Sequence, residues 1–343
     1  MKITALSVAV PRNCKDLSEI EELFGKKTAR KISTITGISE RRVSSDIRPL
    51  ELILSAAEAA LEKAGGPHDV DAVLVVTQTP EYKFPATACL VQDHLNIPTQ
   101  SLAFDINLGC SGYAYGLITA YSYITSGMFR KILLISGEMT SSTASPKDSS
   151  TYPLFGDAYS ATILESSETD DVVACDWGTD GSGKENLITY VGGSRYRTMD
   201  EYQEADGFAL HQEALYPDYC YMNGAQVFEF CVKVVPQMLD NLFRKISLPR
   251  DAVDFYFFHQ ANSFILKHLG NKLGIAEDKV PMTLYKYGNT SSASIPLTIS
   301  QTFGSDPSSD KVLSALLGFG VGYSWAGLLM YIQPEAVLPI LEV

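Results

Sequence analysis

The sequence lacks closely spaced cysteines, although it contains six cysteines in 343 residues. No two of them form a CxxC pair, and they are spread along the chain from Cys14 to Cys231. Structural zinc sites and small disulfide-stapled domains need cysteines at short, regular spacing, so the sequence indicates neither. The cysteine usage fits a reducing compartment, and we expect a cytoplasmic location and no metal cofactor.

Positive charge is also scarce. The chain has 27 Lys and Arg against 40 Asp and Glu, which gives a formal net charge of -13. An acidic surface repels the phosphates of nucleic acids and of anionic membranes, so neither is expected as a partner. An acidic carrier protein would need a local basic patch on this surface.

An uninterrupted hydrophobic run long enough for a membrane helix is missing as well. The longest candidate, residues 312–332, is broken by four glycines, and this pattern predicts two buried strands joined by a tight turn. The apolar run at the N-terminus is ended by Pro11, which is too early for a secretory signal. We interpret that run as the first strand.

Strands and helices alternate along most of the chain, which is typical of an α/β fold with a parallel-rich sheet. Helices are predicted at residues 17–35, 49–64, 86–95, 224–243 and 262–273. The helix at residues 86–95 would hold Cys89 in the core.

Two pairs of segments echo each other. Asp71 begins DAVLVVTQT and Asp251 begins DAVDFYFFHQ, and KILLISGE resembles VLSALLGFG at the same relative place. The echo indicates two halves of similar topology, with the acidic segment 166–171 as the best candidate linker.

The segment from Ser101 to Met128 contains the first candidate for chemistry. A strand-like run ends at Ile106, and Cys110 lies in the turn before a long helix rich in small residues. A thiol at a helix N-terminus faces unpaired N–H groups and the positive end of the helix dipole, which both favour thiolate. Cys110 is therefore a candidate nucleophile. A packed core cysteine is the alternative, since free cysteines are often buried.

Two further motifs place polar side chains beside predicted strands and helices. His259-Gln260-Ala261-Asn262 follows an apolar strand, where open α/β sheets place their ligands, and GNTSSAS begins at Gly288. Each motif alone also has a structural interpretation, as a satisfied histidine and as a helix cap. The sequence GFGVG near the C-terminus suggests a dinucleotide site, but it lacks the strand–turn–helix context and the complete fingerprint.

A cysteine at a helix start, HQAN at a strand end and GNTSSAS, in that order, form a specific combination. With them the chain resembles the thiolase superfamily and, within it, the β-ketoacyl-acyl-carrier-protein synthase III group. The resemblance extends over nearly the whole length, through TGISERRV, TQTPEYKFPATACLVQ, DINLGCSGYAYGL, FGDAYSATIL, YGNTSSASIP and GFGVGYSWA.

The resemblance implies a thiolase-like α/β fold, in which two similar βαβαβαββ halves form a five-layered α-β-α-β-α core. Residues 1–168 would form the N-terminal half with the nucleophilic cysteine, and residues 169–343 the C-terminal half with the histidine and asparagine. The family usually assembles as a homodimer.

The same resemblance implies a decarboxylative Claisen condensation. Cys110 would take an acyl group from an acyl thioester, and a malonyl thioester, malonyl-CoA or malonyl-ACP, would attack it to give a 3-ketoacyl thioester. His259 and Asn289 would stabilise the enolate, while the backbone N–H groups of Cys110 and Val321 would form the oxyanion hole.

Substrate-binding positions are implied too. Phe84 would wall the acyl pocket, across the dimer interface, and Phe319 would lie beside the nucleophile. Asn262 would contact the pantetheine arm, and Gly224 is also among the implied substrate-binding residues. Acyl-CoA and malonyl thioesters are the expected substrates, an acyl carrier protein is a candidate partner, and the pathway would be fatty acid or polyketide biosynthesis.

Two other functions remain open. The first is acyl transfer from Cys110 to a hydroxyl or amine acceptor, which release of CO2 from a malonyl thioester would distinguish. The second is a non-catalytic role as the partner of an active condensing enzyme, which acylation of Cys110 would exclude. The irregular insertion at residues 193–223 could reshape the entrance to the site.

Overall fold

The computed structural model describes residues 1–305, 308 and 310–343. The strands are β1 (Lys2–Val10), β2 (Cys14–Asp16), β3 (Glu40–Arg42), β4 (Ala72–Val76), β5 (Leu102–Ile106), β6 (Lys131–Met139), β7 (Asp157–Glu165), β8 (Val172–Thr179), β9 (Leu187–Ile188), β10 (Tyr221–Met222), β11 (Phe255–Phe258), β12 (Val312–Gly320), β13 (Ser324–Ile332) and β14 (Leu341–Glu342). The helices are α1 (Leu17–Phe24), α2 (Lys26–Thr36), α3 (Pro49–Lys63), α4 (Thr87–His94), α5 (Gly112–Thr125), α6 (Met199–Glu204), α7 (Gly207–Leu210), α8 (Gly224–Arg244), α9 (Ser263–Leu273), α10 (Leu284–Tyr287) and α11 (Ser294–Phe303).

Local sequence explains where several of these helices begin and end. Pro49 occupies the first turn of α3, where its fixed φ suits a helix and its missing N–H costs nothing, and the helix stops just before Gly65. The α9 helix is capped by the Asn262 side chain, which accepts a hydrogen bond from the Ile265 N–H. The helix predicted at residues 17–35 is instead two helices, because Gly25 takes a φ of 83° between them.

Two large sheets form the body of the protein. The first has the strand order β14-β1-β7-β6-β4-β5, and the second has the order β11-β12-β13-β8. Both sheets are mixed: β4 is parallel to β5 and β6, whereas β7 is antiparallel to β1 and β6. The prediction of a parallel-rich sheet is therefore only partly right, since each half ends in an antiparallel pair.

Helices cover and separate these sheets in five layers. The α3 and α4 helices pack on the outer side of the first sheet, and α8 packs on the outer side of the second, with α9 against α8. Between the sheets lie α5 and α11, each of which contacts strands of both. The thiolase-like five-layered α/β fold expected from the sequence is confirmed.

The two halves repeat one topology. The sequence β1-β7-β6-β4 across the first sheet corresponds to β8-β13-β12-β11 across the second, with the same parallel and antiparallel pairings. The segments that echo each other in the sequence are β4 with β11 and β6 with β12. The boundary proposed near residue 168 stays a prediction, and β14 at the C-terminal end pairs with β1 of the first sheet.

Two other sequence predictions have clear outcomes. Residues 312–332 form the antiparallel strands β12 and β13 around a short turn, as predicted. Cys89 is exposed on α4, so its predicted place in the core is wrong; the apolar side of this short helix is formed by Ala88 and Val91 instead. Within the described residues, no helix has both the length and the apolar character to cross a membrane.

Candidate active site

Cys110 lies in the turn between β5 and α5, where the backbone of the second half approaches it closely. A side-chain carbon at Gly320 would lie 2.5 Å from Cys110 Cβ and 2.9 Å from its Sγ. Only glycine fits at this distance, because real Cβ atoms do not approach other heavy atoms so closely. The glycine at the end of β12 therefore brings the two halves together at the thiol.

Burial and hydrogen bonding act on this thiol in opposite directions. Burial raises the pKa of Cys110, and this effect outweighs the hydrogen bonds from the Ser291 side chain and from the backbone of Val321 and Cys110, which lower it. Backbone N–H groups favour the thiolate, as expected, but the net shift of the Cys110 pKa is opposite to the one predicted from the helix start. Cys110 lies two residues before the first residue of α5, and desolvation dominates its ionisation.

The loop from Asn289 to Ser294 connects the predicted groups. Asn289 is buried, and its Oδ1 accepts a hydrogen bond of 2.9 Å from the Ser291 N–H. The Ser291 hydroxyl lies 3.8 Å from the Cys110 sulfur. Ser291 has a φ of 49°, a left-handed conformation that costs a non-glycine residue energy and is concentrated at functional sites.

His259 is buried directly after β11. Its Nδ1 lies 2.8 Å from the Ser294 hydroxyl, and its ring meets the Phe319 ring edge to face with centroids 5.7 Å apart. Burial lowers the pKa of His259 to about 4, against smaller opposing effects of the Ser291 backbone and of Glu138. His259 is therefore neutral near pH 7, with one ring N–H available as a hydrogen-bond donor.

A cavity of about 780 Å³ opens beside Cys110. Its wall includes Cys110, Ser291 and Val321, and part of it comes from residues 187–197 together with Cys220, which belong to the insertion and its flanking strand. Polar side chains contribute further to the lining: Gln78, Thr79, Asn107, Glu138, Thr140 and Thr143. A space of this size and composition can receive an extended substrate that reaches the thiol.

Comparison with known proteins gives the family. Residues 104–181 match the family model of 3-oxoacyl-[acyl-carrier-protein (ACP)] synthase III, and residues 243–332 match the model of its C-terminal part. The β-ketoacyl-[acyl-carrier-protein] synthase III of Natranaerobius thermophilus is 35% identical over 336 residues, which span 96% of this chain and 98% of that protein. The chain belongs to the β-ketoacyl-ACP synthase III family.

Solved structures agree with this assignment. The 3-oxoacyl-(acyl-carrier protein) synthase of Burkholderia xenovorans LB400 superimposes with a TM-score of 0.92 at 34% identity, covering 100% of this chain and 97% of that one. The priming β-ketosynthase of the R1128 polyketide pathway gives a TM-score of 0.85 at 26% identity, covering 97% and 96%. The protein is thus an acyltransferase of the condensing-enzyme class within the thiolase superfamily.

The structure places the implied substrate-binding residues of this synthase III family member in several settings. Phe84 is 85% exposed, Phe319 is buried against His259, Asn262 caps α9, and Gly224 is the exposed first residue of α8. Among the described residues, the cavity beside Cys110 includes none of these four. Their roles in substrate binding remain predictions.

Two residues of the site were missed by sequence reasoning. Ser291 lies inside the GNTSSAS motif without a predicted role, although a serine between Asn289 and a helix is a detectable signal. Glu138 is 2% exposed at the end of β6, and nothing in KILLISGE distinguishes a buried glutamate from one at a solvated strand end. No group of three or more His, Cys, Asp or Glu suited to a metal ion occurs in the described part of the chain.

Proposed function

We propose that Cys110 is the nucleophile of a two-step condensation. It attacks the carbonyl of an acyl thioester and holds the acyl group covalently, which divides one difficult reaction into two easier steps. The backbone N–H groups of Cys110 and Val321 interact with the thiol and are placed to donate to the oxyanion that forms beside it. The convergence of these donors and the Ser291 hydroxyl on one sulfur at a cavity wall is the observation that carries the proposal.

In the second step a malonyl thioester loses CO2, and the resulting enolate attacks the acyl group on Cys110. His259 and Asn289 stabilise the enolate oxygen by hydrogen bonds. Burial lowers the pKa of His259 to about 4, which supports a neutral imidazole, and not an imidazolium cation, as the hydrogen-bond donor in this role. The loop that holds Asn289 contacts both Cys110 and His259 through Ser291, which supports a single site for both steps.

The substrates proposed are acyl-CoA and malonyl-CoA or malonyl-ACP, in fatty acid or polyketide biosynthesis in the cytoplasm. The names of relatives, β-ketoacyl-[acyl-carrier-protein] synthase III and a priming β-ketosynthase, support an acyl carrier protein as partner. We assign no cofactor, because thioester exchange and decarboxylation need only the side chains and backbone donors described.

A homodimer is proposed as the assembly. Phe84 is a large aromatic side chain with 85% of its surface exposed, and such a residue is more stable when a second copy covers it. The family resemblance implies that this position lies across the dimer interface, at the wall of the acyl pocket.

The nucleophile is tested by intact-protein mass spectrometry of the wild type and Cys110→Ala after incubation with a panel of acyl-CoA and acyl-ACP thioesters. We expect an acyl adduct on the wild type and none on the variant. No adduct from any donor would refute the catalytic role and favour a non-catalytic partner of an active condensing enzyme.

The second step is tested by adding malonyl-CoA or malonyl-ACP to the acylated protein. Release of CO2 with formation of a 3-ketoacyl thioester is expected. Loss of the acyl group to a hydroxyl or amine acceptor without CO2 release would instead establish acyl transfer as the reaction.

A further inference from the structure

Glu138 is a buried carboxylate in the wall of the reaction cavity that the condensation described above does not use. It lies at the end of β6 and is 2% exposed, yet it borders the same cavity as Cys110. The Ser292 N–H donates to its Oε2 over 3.0 Å, and the Ser292 hydroxyl donates to its Oε1 over 3.1 Å. A carboxylate accepts about four hydrogen bonds, so these two leave capacity for further donors.

Ser291 lies between this carboxylate and the nucleophile. Its hydroxyl is 3.8 Å from the Cys110 sulfur, and its side chain also interacts with the Glu138 carboxylate. A hydroxyl can accept one proton while donating another, so Ser291 can connect a thiol to a carboxylate that does not touch it.

The backbone holds Ser291 in this bridging position at an energetic cost. Its φ of 49° is unfavourable for a residue with a side chain, and the Asn289 Oδ1 stabilises it by accepting the Ser291 N–H. The neighbouring Ser292 is held by Glu138 itself. The loop is therefore fixed from both sides around one hydroxyl.

The charge environment suits proton exchange near neutral pH. Burial raises the pKa of Glu138 to about 8, and hydrogen bonds from Ser292 and Ser291 oppose this. The ionisable groups that face it are Cys110 before α5, His259 after β11 and Tyr159 on β7.

We infer that Glu138, in its ionised form, accepts the Cys110 proton through Ser291 during acylation and so acts as a positioning residue for the nucleophile. This rests on the proposed function of Cys110. As Sγ forms its bond to the acyl carbon, its proton passes to Ser291 Oγ, and the Ser291 proton passes to Glu138. The bond from the acyl carbon to the departing sulfur breaks, and the leaving thiolate takes a proton back by the reverse path. The net change is one thiol and one thioester exchanged for another thiol and thioester.

The experiment compares Glu138→Gln, Ser291→Ala and Ser292→Ala with the wild type. Glutamine keeps one acceptor oxygen for Ser292 but cannot take up a proton, and Ser292→Ala removes one hydrogen bond to Glu138 while keeping the Ser291 hydroxyl. Two rates are measured across pH: single-turnover acylation of Cys110 by the best acyl-CoA donor, and alkylation of Cys110 by iodoacetamide, which reports thiolate alone. Circular dichroism verifies folding of each variant.

In Glu138→Gln the two rates are expected to change in opposite directions. Alkylation becomes faster above about pH 8, where Glu138 of the wild type is ionised, because removal of its negative charge favours thiolate. Acylation becomes slower by about tenfold or more, a modest share of what positioned proton transfer contributes. Ser291→Ala slows acylation similarly, whereas Ser292→Ala moves the pH midpoint of acylation upward, because it removes a hydrogen bond that lowers the Glu138 pKa, and keeps the path from Cys110 to Glu138.

If the acylation rate in Glu138→Gln rises together with the alkylation rate, the proposed proton transfer through Ser291 is refuted, because thiolate would then form before attack. Equal slowing in Ser291→Ala and Ser292→Ala would also overturn it and show a purely structural loop. Absence of acylation in the wild type itself would refute the proposed function, and the relay with it, so the two failures are distinguishable.

Discussion

The ends of matching strands in the two halves carry different side chains. In the first sheet, Val76 of β4 pairs with Ser136 of β6, and Thr77 follows. In the second sheet, Phe258 of β11 pairs with Leu317 of β12, and His259 follows. Thr77 thus corresponds to His259.

Two residues further along these strands, Glu138 of β6 corresponds in position to Phe319 of β12. In one half, Thr77 accepts a hydrogen bond from the Thr79 N–H and Glu138 is a buried acid. In the other, Phe319 packs against His259, a buried base.

The comparison teaches how one scaffold produces two chemical environments. Burial disfavours the charged form of any group, so it raises the pKa of Glu138 to about 8 and lowers that of His259 to about 4. Similar strand ends therefore hold an acid that gains protons more readily and a base that gives them up. The halves differ in chemistry because of side chains, whereas their backbones follow one topology.

Alanine substitutions at the corresponding strand ends are expected to have the largest effect on the rate of condensation. His259→Ala should lower the rate of condensation by about 10²- to 10³-fold, because one donor to the enolate is lost. Thr77→Ala should change that rate far less, since its hydroxyl serves the local backbone. The rate is measured as CO2 release from a malonyl thioester, with Cys110 acylation followed separately. Similar losses in both variants would mean that the halves contribute alike.

The next effect concerns the strand ends one residue beyond Phe319 and Glu138. Gly320→Ala places a carbon 2.9 Å from the Cys110 sulfur, so acylation should slow at least tenfold and stability should fall by about 1–3 kcal/mol. Met139→Ala, at the corresponding position of β6, removes buried volume and destabilises the protein without crowding the thiol. Thermal unfolding and single-turnover acylation separate the two. Unimpaired acylation in Gly320→Ala would contradict the close approach.

The smallest effect is on the pH dependence of stability. The folded-state pKa of Glu138, about 8, is above its ordinary value, so its stabilising contribution is present at low pH and is lost as pH rises through about 8. Glu138→Gln should therefore gain stability relative to the wild type as pH rises from about 4.5 to about 8, by about 2 °C or more in Tm. His259 has its pKa shifted the opposite way, so its contribution is present above about pH 6.5 and is lost as pH falls through about 4. A constant difference in Tm across this range would show that Glu138 does not titrate there.

Several features were predictable because they depend on local pattern. The α3 helix follows from Pro49 and the apolar spacing after it, and β12 and β13 follow from two apolar runs separated by glycines. The break at Gly25 and the exposure of Cys89 were not predicted, since a short helix with few apolar residues fits more than one orientation. Cys110, His259 and Asn289 were predicted as site residues from a motif combination, not from any contact between them.

The sequence by itself determined the order of strands and helices, the nucleophile candidate and the family, because these are expressed in residues close together along the chain. Only the tertiary structure decided what surrounds the thiol. Gly320, Ser291 and Glu138 come from separate segments, and their approach to Cys110 depends on how two sheets pack through α5 and α11. Ionisation also depends on the tertiary structure, because the pKa of a buried group is set by desolvation and by neighbours distant in sequence.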